Sequence, residues 1–155
     1  MLMNRLCKIF GIGSWVLLVT IWILVVYALM TFTNKIPIHF NYKGEVDNYG
    51  SKYAILLLPI LASFIVVLFS IINKYPQLQI KQTAKVQTPK QLLYNKLLLA
   101  YIKFTSLVLF NFIVIQTILI VQEKATSLTL WFIPTTFILM FLPTIYLVYK
   151  SNKEN

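Results

Sequence analysis

The residues in this chain best suited to chemistry crowd into one short segment. His39, the single histidine, lies with Asn41, Glu45 and Asp47 inside the nine positions 39–47. A histidine and two carboxylates are permissible zinc or calcium ligands, although their spacing matches no strong ligand motif. One histidine near one aspartate is also the minimum for acid–base work. A nucleophile is scarce: Ser51 is the one serine or cysteine within residues 34–52, and the loop near 123–127 offers only Glu123, Lys124, Thr126 and Ser127. The structural alternative is that Asn41 and Asp47 fix turns through side-chain bonds to backbone, while His39 pairs with one acid.

The segment's own pattern suggests how these groups are held. Ile36, Ile38, Phe40 and Tyr42 alternate with Pro37, His39, Asn41 and Lys43 as far as Gly44. Period-two alternation ending at glycine predicts a short strand running into a hairpin. Glu45-Val46-Asp47 starts the return, and Asp47-Asn48-Tyr49-Gly50 reads as a further turn. The apolar face of the strand should lie on the bilayer surface or on helix ends, leaving His39, Asn41, Glu45 and Asp47 facing water or one another.

What positions the hairpin is a membrane scaffold. The chain of 155 residues is 59% hydrophobic, with 14 Lys+Arg against 4 Asp+Glu and a mean hydropathy of +0.77. Between Lys8 and Lys35 there are 26 residues without a charge, and between Lys52 and Lys74 there are 21. A further 19 separate Lys103 from Glu123, and 25 separate Lys124 from Lys150. A helix needs roughly 20 apolar residues to cross the hydrocarbon core, and backbone groups in lipid must be satisfied within the segment. The expectation is an all-α integral membrane protein, one domain over 1–155, with helices at about 9–32, 51–73, 89–122 and 127–149 and the lipid bilayer as its main partner. The cations fall between uncharged runs rather than clustering on a soluble module, which argues against nucleic acid.

Orientation follows from lysine placement. With the N-terminus in the cytoplasm, Arg5, Lys8, Lys74, Lys81, Lys85, Lys90, Lys96, Lys150 and Lys153 lie inside, against Lys35, Lys43, Lys52 and Lys124 outside. Both termini are therefore expected in the cytoplasm of a cell inner (plasma) membrane, with the His39 segment outside. Ile9 to Phe32 exceeds the roughly 7–15 apolar residues of a signal peptide and reads as a retained anchor. The single cysteine, Cys7, excludes an internal disulfide.

Within the spans, Pro59 predicts a kink in helix two, and Ser51 an N-cap for it. Thr88-Pro89-Lys90-Gln91 reads as a capping box with proline at the first helical position. From Pro89 to Val121, helix three spans roughly 50 Å at about 1.5 Å per residue, so its first turns should project into the cytoplasm. There Tyr94/Lys96 repeats as Tyr101/Lys103, either a docking face for a partner or lysines snorkelling beside interfacial tyrosines. Asn111 and Gln116 suggest interhelical hydrogen bonds. No acid falls within a span, which disfavours an ion-coupled carrier.

The run Ile36-Pro37-Ile38-His39-Phe40-Asn41, with Gly44-Glu45-Val46-Asp47 and Tyr49-Gly50-Ser51-Lys52, resembles the signature of a bacterial membrane domain of unknown function, family 1648. That domain also forms the N-terminal part of SdpI-like immunity proteins. The resemblance implies a polytopic membrane protein with this loop outside, and SdpI-like members protect cells from a secreted peptide toxin. Pro37, His39, Phe40, Asn41, Gly44, Glu45, Asp47 and Gly50 are accordingly the motif positions expected to matter. The leading expectation is a non-enzymatic membrane protein for peptide-toxin immunity or sensing, with no cofactor and no metal. The alternatives are an enzymatic or metal site at the outer face, built on His39, Asp47 and Glu45, and a scaffold subunit that docks a membrane or cytosolic protein through helix three.

Overall fold

The computed structural model describes residues 2–33, 35–75, 88–129 and 131–153. Its elements run α1 (Leu2–Thr31), β1 (Ile36–Phe40), β2 (Val46–Gly50), a 3₁₀ turn (Lys52–Leu56), α2 (Leu57–Lys74), α3 (Pro89–Val121) and α4 (Phe132–Lys153). Four helices are long and apolar enough to cross a membrane. The protein is a multi-pass α-helical membrane protein with a small antiparallel hairpin between its first two spans. The hairpin and the α3–α4 connection meet at one end of the bundle. Lys81 and Lys85 of the expected lysine-rich loop lie outside the described residues, as does Asn34.

The core runs along α1, α2 and α3. Ile21, Val25, Ala62, Val66, Leu107 and Val114 are fully enclosed where these helices meet. In lipid such contacts act through close packing and not through exclusion of water. Small residues permit the approach. A Cβ on Gly13 would stand 2.7 Å from the Phe104 ring, so α1 and α3 meet through a glycine at that level. Polar side chains add bonds between helices. Asn111 Nδ2 donates to the Leu17 carbonyl at 3.1 Å, and Trp22 Nε1 donates to Ser63 Oγ at 3.1 Å. The mid-helix tryptophan therefore packs α1 on α2. α4 packs chiefly on α3, with Phe112 and Phe132 stacked at 4.8 Å.

Helix ends depart from expectation for local reasons. α1 begins at Leu2 and not near residue 9, because a helix is free to continue past the bilayer where water satisfies its polar side chains. Pro59 stands early in the second span and not deep inside it. Residues 52–56 form a 3₁₀ turn and α2 proper begins at Leu57, which puts Pro59 in the first turn, where its missing N–H costs nothing. Ser51 caps the 3₁₀ turn, its hydroxyl accepting from Tyr53 N at 3.4 Å. The capping box forms in full: Thr88 Oγ1 accepts from Gln91 N at 3.2 Å, and Gln91 Oε1 accepts from Thr88 N at 2.8 Å. α4 starts at Phe132, five residues later than the expected 127, because Ser127 and Leu128 are held extended against the hairpin.

The second half of the expected face on helix three, Tyr101 and Lys103, turns inward, while Tyr94 and Lys96 stay partly exposed. Lys103 is buried, with 4% of its surface exposed, and Nζ donates to Ser70 Oγ on α2 at 3.2 Å. The Tyr101 hydroxyl donates to the Leu139 carbonyl of α4, and its ring meets Phe10 edge-on at 5.6 Å. Neither the docking face nor the snorkelling lysine describes these two side chains. They tie α3 to its neighbours.

Candidate functional site

The hairpin is built around Asn41. Its Oδ1 accepts from the backbone N–H of Lys43 at 2.8 Å and of Glu45 at 3.0 Å. Its own N–H donates to the Glu45 carbonyl at 2.9 Å, and Gly44 N donates to the Asn41 carbonyl at 2.9 Å. Gly44 takes φ +82°, and a Cβ there would stand 2.7 Å from the Leu128 carbonyl oxygen. The turn therefore spans residues 41–45. The expected turn at Asp47-Asn48-Tyr49-Gly50 is strand β2 instead, since asparagine bonding and a positive-φ glycine act together only at the earlier site.

The strands pair Ile36 with Gly50, Pro37 with Tyr49, His39 with Asn48 and Phe40 with Val46. Ile38 and Asp47 are skipped, one bulge on each strand, so the register recovers at the tip. The bulge on β1 breaks the expected alternation: Ile36 and Pro37 are buried while Ile38 is 45% exposed. Gly50 lies under Ile38, whose Cδ1 would be 2.6 Å from a Cβ at that position.

His39 and Asp47 meet across the hairpin, Nδ1 to Oδ1, at 2.6 Å. Because the ionised carboxylate only accepts, Nδ1 carries the proton, and in the neutral ring Nε2 holds the lone pair. Both side chains are well exposed, at 67% and 42%. Glu45 goes elsewhere: its Oε2 accepts from Asn41 Nδ2 at 2.8 Å. The four polar residues thus form two pairs, His39 with Asp47 and Asn41 with Glu45. Among the described residues, no three of His, Cys, Asp and Glu gather as a metal site would need.

Two further contacts fix the hairpin to the bundle. Lys52 Nζ donates to the carbonyls of Leu29 at 2.9 Å and Phe32 at 2.8 Å, capping the end of α1. From the other direction, Leu128 N donates to the Gly44 carbonyl at 2.7 Å and Ser127 bridges Glu45. In the sequence Lys52 shows as a motif position and a loop cation, and Ser127 as a stray hydroxyl. Their structural roles depend on partners 20 or more positions away.

Beneath β1 lies a cavity of about 490 Å³ between the hairpin-side ends of α2 and α3. β1 roofs it, Leu57 and Leu58 form one wall, and Ile113 and Thr117 the other. Pro37, His39 and Phe40 of the motif line it. Of the motif residues, then, three face the cavity, Asn41 and Glu45 close the tip, Asp47 holds His39, Gly44 admits the Leu128 backbone and Gly50 the Ile38 side chain.

A bundle of four membrane-spanning helices with a hairpin fastened over one end defines the class. Residues 16–63, from α1 through the hairpin into α2, match the family described as Domain of unknown function (DUF1648), so this segment carries that domain. The chain is also similar to a protein described as "Uncharacterized protein" from Archaeoglobus fulgidus, 35% identical over 71 residues, covering 39% of this chain and 39% of the relative. The match therefore spans well under half of that relative's length. No solved structure matches.

Proposed function

We propose that this is a non-enzymatic protein of the cell inner (plasma) membrane whose hairpin faces outward and recognises a peptide, serving immunity to a secreted toxin or its sensing. One observation carries this reading: the hairpin combines a fixed backbone with an exposed surface. Its turn and both attachments are hydrogen-bonded, yet Asp47, Asn48 and Tyr49 are exposed and Tyr42 at the tip is 82% exposed. A surface ordered before binding loses little entropy on association. The resemblance to SdpI-like proteins supports the same role.

The orientation rests on charge. Among described residues, Arg5, Lys8, Lys74, Lys90, Lys96, Lys150 and Lys153 belong to the side of the chain ends. Lys35, Lys43, Lys52 and Lys124 belong to the hairpin side, where Glu45, Asp47 and Glu123 offset them. Cytoplasmic loops carry the cation excess, which favours both termini inside. Recognition is preferred to catalysis because no hydroxyl or thiol is bonded to His39 among the described residues.

Quantitative capture from native membranes in mild detergent tests the proposal. A peptide or protein that accompanies the wild type and is lost from His39→Ala/Asp47→Ala supports it. An unchanged set of partners reduces the hairpin to a structural turn.

A further inference from the structure

We propose that the cavity beneath β1 holds one acyl chain of a phospholipid from the leaflet on the hairpin side. This site shares His39 with the outward surface of the hairpin, but its occupant does not depend on what that surface recognises.

The walls select the occupant. Of eleven lining residues, only His39 and Thr117 carry polar side-chain atoms. A peptide segment inside would find only those two side chains and the unpaired edge of β1 for its backbone N–H and C=O groups, and each group left over costs several kcal/mol. A hydrocarbon chain brings no such groups. The volume of about 490 Å³ falls within the ~300–1,000 Å³ range of small-molecule sites.

The cavity also communicates with lipid. Leu57 is 61% exposed and heads a stripe that continues through Leu61, Phe64, Leu68 and Ile71 at helical spacing, each 37% or more exposed. That stripe is the bilayer-facing side of α2, and Leu57 lines the cavity as well. The opening therefore lies at the level where acyl chains already are. His39 marks the opposite edge, where it is largely solvated. An amphiphile with its chain inside and its head group beside His39 fits both ends.

Labelling with a phospholipid carrying a photoactivatable diazirine on its acyl chain tests this. The protein is reconstituted in phosphatidylethanolamine–phosphatidylglycerol vesicles and the adducts are mapped. Adducts should concentrate on 54–58 and 113–117, several-fold above those at Phe64 and Leu68. Ala54→Trp and Ile113→Trp, which fill the cavity from different elements, should each remove most of them while leaving adducts at Leu142 and Ile145 of α4 unchanged. Equal labelling of cavity and stripe, or labelling indifferent to both fillings, means bulk lipid contact only and overturns the proposal. A co-purifying peptide that shields the cavity from label in the wild type overturns it too. Should a filled variant fail to fold, the wild-type distribution of adducts decides.

Discussion

The Lys52 ammonium donates to the Phe32 carbonyl at 2.8 Å, joining the start of the second span to the end of the first. With its bond to Leu29, it closes the hairpin at its base, as the Gly44–Leu128 contact closes it at the tip. Lys52→Met removes the donor and leaves two carbonyls at the α1 end without it. A loss of about 1–3 kcal/mol is expected, read as lowered unfolding stability in detergent. Lys52→Arg should retain part of it.

Gly44→Ala tests the tip. A non-glycine residue at φ +82° costs about 1–2 kcal/mol in the left-handed region, and the Leu128 carbonyl at 2.7 Å belongs to backbone that cannot simply rotate aside. The Leu128 amide, bonded to the Gly44 carbonyl, should lose hydrogen-exchange protection. Gly50→Ala should be milder, since the obstructing atom there ends the flexible Ile38 side chain.

Glu123 ends α3 at φ 58°. The Lys124 N–H donates to the Leu119 carbonyl at 2.9 Å, and the Glu123 N–H to that of Ile120 at 3.0 Å, the bond pattern of a glycine-favouring helix stop. Glu123→Gly should therefore stabilise the protein by about 1 kcal/mol, seen as a higher melting temperature.

Asn111 is buried between α1 and α3, and its Oδ1 has no hydrogen-bond partner among the described residues. Asn111→Leu removes both Nδ2 bonds but also that orphaned acceptor. Interhelical bonds of this kind average about 0.6 kcal/mol, so the unfolding stability should change by no more than about 1 kcal/mol in either direction.

The four spans were legible because lipid demands long uncharged runs, and the Thr88–Gln91 cap because it is local. The strand at Ile36–Phe40 was legible from its alternation, but its bulges were not, for nothing in the residue types marks Ile38 or Asp47 as skipped. Asp47-Asn48-Tyr49-Gly50 has turn composition and still forms a strand, since pairing with Ile36–His39 outweighs local preference. Lys103 showed only as a run boundary and half of the Tyr101/Lys103 repeat, and its buried bond depends on Ser70 from another helix. The late start of α4 and the cavity under β1 are tertiary in origin. The contacts that divide the motif residues among turn, pair and cavity required the fold.

The exposed His39–Asp47 pair contributes under about 1 kcal/mol to stability, so its variants should fold, and recognition can be examined apart from structure. The most direct test places a photo-crosslinking amino acid at Asn48, on the exposed strand, and at Leu142, on the lipid-facing side of α4, in living cells. A crosslinked secreted peptide is expected at position 48 alone, abolished by His39→Ala/Asp47→Ala in the same chain. No peptide adduct at 48, or one unaffected by that double substitution, would contradict it.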